Sequence, residues 1–425
     1  MHTPLFCEWE LTRACNLRCP HCSAGARARA PQELDGREAL EVASQIIDIG
    51  CAAVSMTGGE PLLHPEWEAV AANLTRNGVA VSVLSNGWAI DRAMAHRLRE
   101  AGVSEVVLSF DGLEALHDRV RNQPGAYRRA LAALHGLRDA GVSVAVTTTL
   151  FRQTLDELPA IQELCQSLGI ERWHLLLGKR PFDGIRGTMR CEFLRPADLR
   201  LLASRLRGLV CESGPQIILG DNVGSDRRSC EAGLSLFALD AEGNVKGCSA
   251  MPSRSSLLEG NVRRTELRAI WEAPQAFSYN RAFAVGQLAG KCGSCEHAAA
   301  CRGGCHWSTD FASSAIDNRY CFARQVHAGP CRREAALGAA ALVGLGLALT
   351  GCGHETRGAN SPYGDGFSCG LEQQLKEPAT PECKTLRDAI AECTMRCCMS
   401  RMVMPPDLRA ECARKADEFK AKCAR

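Results

Sequence analysis

From residue 5 to about residue 178 the chain alternates short apolar and β-branched runs with helix-patterned stretches, at the spacing of roughly 25–30 residues that repeated βα units require. Strands are expected over 6–11, 52–56, 79–84, 105–110, 142–149 and 173–177, and helices over 37–49, 66–77, 91–101, 127–140 and 155–168. Several of the helices run into glycine, in the contexts IDIGCAAV, TRNGVAV, REAGVSEV and RDAGVSV. A glycine there closes the last helical turn before the next strand. Parallel strands with outer helices make an α/β fold, a partial (β/α)6 TIM-like barrel. Reactive groups in such barrels gather on the loops after the strands' C-terminal ends, where side chains from several strands converge.

The rest of the chain breaks this rhythm, so residues 1–180 are read as the barrel and 181–225 as a linker with one helix over 196–209. Residues 226–330 are a small cysteine-rich domain organised by metal, and 331–425 a tail of different composition. A length of 425 residues suffices for two or three domains and a full core. The net charge of +2, with acidic and basic residues evenly mixed, provides no basic field for a nucleic-acid partner. The 24 cysteines do require an explanation, and disulfides, structural zinc and iron–sulfur clusters are the three common ones. The start, MHTPLFCEWELTRACN, has no apolar stretch behind a basic end, so a cytoplasmic location with reduced thiols is expected.

Spacing separates the three explanations. Just after the first strand comes Cys15-Asn16-Leu17-Arg18-Cys19-Pro20-His21-Cys22, a CxxxCxxC run. Three thiolates this close can hold three corners of a [4Fe–4S] cube and leave the fourth iron open. Structural zinc takes four protein ligands, and a redox dithiol needs only CxxC. After the next three strands come Thr57-Gly58-Gly59-Glu60-Pro61, Ser85-Asn86-Gly87 and Ser109-Phe110-Asp111-Gly112. Paired glycines admit close backbone approach, Glu60 could hold an ammonium group, and Asn86 and Ser109 offer short donors and acceptors.

These motifs, in this order after consecutive strands, resemble the radical S-adenosylmethionine (SAM) superfamily. The resemblance implies that Cys15, Cys19 and Cys22 bind the catalytic cluster and that Gly58, Gly59, Glu60 and Pro61 meet the methionyl end of SAM. It places His21 at the family's usual aromatic position and, more loosely, Asn86, Ser109 and Asp111 around the cofactor. It also implies reductive cleavage of SAM to methionine and a 5′-deoxyadenosyl radical that abstracts a substrate hydrogen.

Further on stand Cys230, Gly243, Cys248, Cys292, Cys295, Cys301, Cys305 and Cys321, spaced C-x12-G-x4-C, a gap, C-x2-C-x5-C-x3-C, a gap, and C. This pattern resembles the seven-cysteine SPASM domain of peptide- and protein-modifying maturases, which holds two auxiliary [4Fe–4S] clusters. Carried over residue by residue, Cys292, Cys295, Cys301 and Cys321 fill the distal cluster, while Cys230, Cys248 and Cys305 leave the proximal one a ligand short. Substrate, water or a carboxylate could complete it. A pair of zinc ribbons is the bland alternative. Cys7, Cys51, Cys165, Cys191 and Cys211 fit no ligand pattern and read as small buried hydrophobes. Asp183, just past the sixth strand, is either substrate-facing or a turn residue before glycine.

The tail opens with Arg332-Arg333 and an uncharged run over 335–351 that ends at Cys352. It reads as a short transmembrane helix giving membrane contact, a fused lipoprotein segment, or an Ala/Gly-rich buried helix. Beyond it Cys369, Cys383, Cys393, Cys397, Cys398, Cys412 and Cys423 are either exported disulfide staples or thioether donors of a fused peptide substrate.

The resulting expectation is a radical SAM maturase with three [4Fe–4S] clusters, acting on a peptide or protein and crosslinking it. Its electron donor is expected to be a reductase of flavodoxin or ferredoxin type. The alternatives are a sulfatase-type or quinone-cofactor-type maturase and, outside enzymes, an iron–sulfur electron carrier.

Overall fold

The computed structural model describes residues 2–22, 24–178, 192–209, 214–220, 229–253, 255–305, 316–321 and 414. Strands β1 (Phe6–Thr12), β2 (Ala53–Gly58), β3 (Ala80–Ser85), β4 (Glu105–Ser109), β5 (Ser143–Leu150) and β6 (Arg172–Leu177) form consecutive parallel pairs. Between and after them run α1 (Gly36–Asp48), α2 (Trp67–Arg76), α3 (Arg92–Glu100), α4 (Glu114–Arg121), α5 (Ala126–Asp139), α6 (Thr154–Ser167) and α7 (Leu199–Leu209). The α/β barrel architecture expected from the alternation is thus present. Its helix-closing glycines, Gly50, Gly78, Gly102 and Gly141, have φ of 84, 79, 78 and 74°.

The sheet continues at both edges. Strand β7 (Gln216–Leu219), inside the segment read as a linker, pairs parallel with β6. At the other edge β8 (Leu236–Leu239) pairs parallel with β1, and β9 (Asn244–Lys246) and β10 (Gly260–Asn261) follow antiparallel. The full order is β10-β9-β8-β1-β2-β3-β4-β5-β6-β7. The first half of the cysteine-rich segment is therefore hydrogen-bonded to the barrel's first strand. Helix α4 was also unforeseen, because its eight residues are mostly polar and follow the Asp111-Gly112 turn without a long apolar stripe.

Local chemistry explains the helices that were foreseen. Asp35 caps α1 by accepting the Glu38 amide at 2.8 Å, and Glu38 accepts the Asp35 amide at 2.8 Å, a reciprocal capping box. Ala39, Val42, Ala43 and Ile46 then fall on the one face of α1 that is buried. Trp67, Val70, Ala71 and Leu74 repeat the spacing on α2.

The barrel interior departs from the usual packing with branched apolar side chains. Along β1, Cys7, Trp9 and Leu11 are buried in the core, while Glu8 and Glu10 alternate with them and are half-buried. Register carries Glu8 to Ser55, Ser55 to Ser82, Ser82 to Glu105 and Glu105 to Ser143, so one layer across five strands is entirely polar. Glu105 is buried and forms an ion pair with Arg172. Burial pushes its carboxyl up to about 7, against the pull of the guanidinium.

Among the described residues no helix is long and apolar enough to cross a membrane. The apolar run over 335–351, the tail cysteines, Asp183, Cys191 and Cys211 lie outside the described residues. Removing Arg172 leaves the buried Glu105 carboxyl without its partner. Arg172→Met should therefore cost about 3–5 kcal/mol in denaturant unfolding, and adding Glu105→Leu should recover most of it. Equal stability of the single and double variants would contradict this account.

Candidate functional site

The loop that leaves β1 carries Cys15, Cys19 and Cys22, and a buried carboxylate shapes it. Glu33 accepts Thr12 Oγ1 at 2.8 Å and the Arg13 amide at 2.7 Å at the loop's start, and the Ala30 amide at 2.8 Å at its end. Arg29 pairs with Glu33 at 3.2 Å. Glu33 thus clamps both ends of a loop with little regular structure of its own. Within it the Cys22 amide donates to Cys19 O at 3.2 Å, and the Leu17 amide lies 3.4 Å from Cys15 Sγ.

The β2 motif packs directly on this loop. The Gly59 amide donates to Thr12 O at 2.7 Å and the Glu60 amide to Ala14 O at 2.8 Å. A Cβ on Gly58 would stand 2.4 Å from Thr12 O, and one on Gly59 would stand 2.1 Å from Ala14 O. Here the paired glycines serve an approach between two backbones. Pro61 opens the short 3-10 turn Pro61–Leu63. The Glu60 side chain is fully buried, accepting Ser85 Oγ at 2.9 Å and the Asn86 amide at 3.0 Å. Burial raises its carboxyl to about 7 despite these donors. Glu60 therefore ties the loop after β2 to the loop after β3.

The β3 and β4 motifs meet the same loop. Asn86 Nδ2 donates to Asn16 Oδ1 at 2.8 Å and lies 3.8 Å from Cys15 Sγ. Ser109 ends β4 with its side chain buried. Asp111 accepts the Thr149 amide at 2.8 Å, pairs with Arg121 at 2.7 Å and faces His21 Nε2 at 4.0 Å. Burial alone would raise the Asp111 carboxyl, and the Arg121 guanidinium outweighs it, so the group sits below the ordinary carboxylate range. Arg121 also lies within electrostatic reach of the Cys19 thiol. His21 packs edge-on against Phe151, ring centres 5.2 Å apart, and burial lowers its imidazole to about 4.

Arg121 and Glu33 are the residues here that the sequence reading missed. A signal for Arg121 existed: His117-Asp118-Arg119-Val120-Arg121 follows Asp111 closely, and the four-residue step puts His117 and Arg121 on one helix face. Glu33 carries no such signal, being an acid in a loop two residues before the Asp35 cap.

In the cysteine-rich segment, burial first, then Cys321, Cys292 and Cys295 raise the Cys301 thiol, so these four lie within electrostatic reach of one another. Cys248 is raised by burial, then by Glu8, Cys230 and Cys305. The thirteen cysteines within the described residues form no disulfide. Among the described residues no three His, Cys, Asp or Glu side chains are close enough to share a single metal ion. A cubane spreads its ligands more widely, and three thiols on one loop beside an open mouth suit its donor chemistry. Burial raises Cys15, and takes Cys19 up to about 11, so any metal bound by these thiols would have to displace their protons. Cys7, Cys51 and Cys165 are buried in the core.

A β/α barrel whose mouth presents a three-cysteine loop against a glycine pair is the frame of an enzyme that binds a site-differentiated iron–sulfur cluster. The radical SAM superfamily model matches residues 9–165. The AdoMet-dependent heme synthase of Oleidesulfovibrio alaskensis is 31% identical over 322 residues, spanning 70% of this chain and 81% of that one. The mycofactocin maturase MftC of Mycolicibacterium smegmatis is 27% identical over 342 residues, spanning 75% and 82%. Among solved structures, Streptococcus suis SuiB bound to S-adenosylmethionine superposes with a TM-score of 0.63 at 16% identity, over 75% of this chain and 77% of that one. Native anSMEcpe with bound AdoMet gives 0.61 at 17%, over 76% and 96%. The chain belongs to the radical SAM superfamily, and it is an enzyme whose family uses a [4Fe–4S] cluster and SAM.

Two outcomes follow. Gly59→Ala forces a side chain into the Ala14 carbonyl, and should cost about 1–3 kcal/mol and abolish SAM cleavage; an active variant of unchanged stability would refute the contact. His117, buried with Nδ1 accepting the Asp111 amide at 3.1 Å, is lowered to about 4 by burial. The unfolded chain protonates it near the ordinary imidazole value of 6.5, so between these values the unfolded state holds more protons and stability rises with pH. Acid titration of stability should be shallower in His117→Gln than in the wild type.

Proposed function

We propose that this radical SAM enzyme abstracts hydrogen from a residue of a peptide or protein and crosslinks it, with three [4Fe–4S] clusters in all. The observation that carries the peptide reading is a polar cavity of about 360 Å³ beside the catalytic loop. Glu10, Thr12, Arg13, Asp240, Asn244 and Lys246 are among its lining residues. Such a wall matches amide and carboxyl groups better than an apolar surface. The similarity to MftC, named a mycofactocin maturase, supports the same reading.

When bound, the clusters supply the electron that cleaves SAM and accept the one left after bond formation. The chain's own residues do the rest. Cys15, Cys19 and Cys22 hold the catalytic cluster, while the Gly58–Glu60 backbone and Asn86 fix the loop that bears them. Cys230, Cys248 and Cys305 hold one auxiliary cluster, and Cys292, Cys295, Cys301 and Cys321 the other. The abstracted C–H hydrogen ends on 5′-deoxyadenosine and the crosslinking thiol's proton passes to solvent. Sulfatase-type and quinone-cofactor-type maturation remain variants of this reading.

The heme synthase relatives favour a second reading, in which a tetrapyrrole is the substrate. One assay separates them. The reconstituted protein should hold about twelve irons, falling to about eight with loss of 5′-deoxyadenosine in Cys15→Ala/Cys19→Ala/Cys22→Ala. In the wild type, 5′-deoxyadenosine formation should be stimulated by a short cysteine-rich peptide, with a crosslinked product by mass spectrometry. Stimulation by an iron porphyrin and not by the peptide would transfer the proposal to the tetrapyrrole reading.

A further inference from the structure

The auxiliary group formed by Cys230, Cys248 and Cys305 lacks a fourth cysteine, and the fold brings a different donor to it. Glu8 lies mid-way along β1, with its side chain on the face opposite Cys7 and Trp9. Its Oε2 accepts the Ser249 amide, one residue past Cys248, at 2.7 Å. Among the described residues its Oε1 makes no hydrogen bond. Lys246 pins the same turn to β1: Nζ donates to Met251 O at 3.0 Å and to Ser249 O at 3.4 Å, and meets Glu10 Oε2 at 3.1 Å. The Met251 amide closes the turn on Cys248 O at 3.1 Å. Asn280 Nδ2 holds the Cys230 carbonyl at 2.6 Å.

We propose that the Glu8 carboxylate is the fourth protein ligand of the iron–sulfur cluster held by Cys230, Cys248 and Cys305. This rests on the reading above that these three cysteines bind a cubane. A carboxylate oxygen is anionic and harder than a thiolate, so it completes the site while lowering the electron density on that iron. The cluster then presents no open iron to a substrate. The other nearby oxygen donor is Tyr279, but its hydroxyl is directed to Met251 Sδ at 3.7 Å. Lys246, also close, is a cation already paired with Glu10.

The test uses the full chain with Cys15→Ala/Cys19→Ala/Cys22→Ala, so that only auxiliary clusters contribute. After anaerobic reconstitution this background should hold about eight irons and resist mild ferricyanide oxidation. Adding Glu8→Gln, which keeps an acceptor for the Ser249 amide, should cause loss of about one iron per chain on that oxidation, with a [3Fe–4S] signal in electron paramagnetic resonance. Glu8→Cys should keep all the iron and shift the cluster's potential downward, and Tyr279→Phe should change neither. If Glu8→Gln matches the background in iron, signal and potential, Glu8 is not a ligand although the cluster exists. A background holding about four irons, or zinc, removes the cluster reading and this proposal with it.

Discussion

The mouth of the barrel depends on an approach between two backbones that only glycine permits. Gly58 and Gly59 bring the end of β2 against the Thr12 and Ala14 carbonyls, and the amides of Gly59 and Glu60 donate to those same oxygens. A loop rich in cysteine and arginine has little apolar surface with which to fix itself. Its position is set by this contact, by Glu33 across its two ends, and by Asn86 at Asn16 and Cys15. Remove the approach and Glu60 no longer reaches Ser85 and the Asn86 amide, so the loops after β2 and β3 part as well.

Strand β1 supplies the second organising element. One face, Cys7, Trp9 and Leu11, is core; the other, Glu8 and Glu10, is polar and reaches the turn that carries Cys248. The same strand runs on into the loop of Cys15, Cys19 and Cys22. Cys15 lies seven positions beyond Glu8, which at about 3.3 Å per extended residue limits their separation to roughly 23 Å. Buried carboxylates in a strand are costly unless paired. The price is met here by the Ser249 amide and by Lys246, whose own donors are divided between Glu10 and two carbonyls.

Much of this was legible in the sequence, for identifiable reasons. The strands β1–β6 and their main helices announce themselves through periodicity and closing glycines, and the motifs sit at fixed positions relative to them. What escaped was short or polar. Strands β7 and β9 are four and three residues long, too short to show a period of their own, and β7 is held by β6 some forty residues earlier. Helix α4 lacks a long apolar stripe. The hydrogen bonds by which Glu60 joins Ser85 and the Asn86 amide are likewise encoded by no local pattern. Glu8 and Glu10 were visible as acids at alternate positions of a strand, but the reason for them lies some 240 residues away at Lys246 and Ser249.

The electrostatics of the mouth follow from how its charges are shared. Asp111 is fully buried and keeps its charge only because Arg121 lies against it, with the Thr149 amide on its other oxygen. Arg121 in turn lies within electrostatic reach of Cys19, so a single guanidinium neutralises a carboxylate and eases ionisation of a nearby thiol. Burial keeps His21 and His117 neutral beside it, and the mouth is spared two further positive charges. A cation so placed favours the thiolate form of Cys19 and, with it, the more negative state of whatever that thiolate holds. Arg121 thereby links the folding of the β4 loop to the chemistry of the β1 loop.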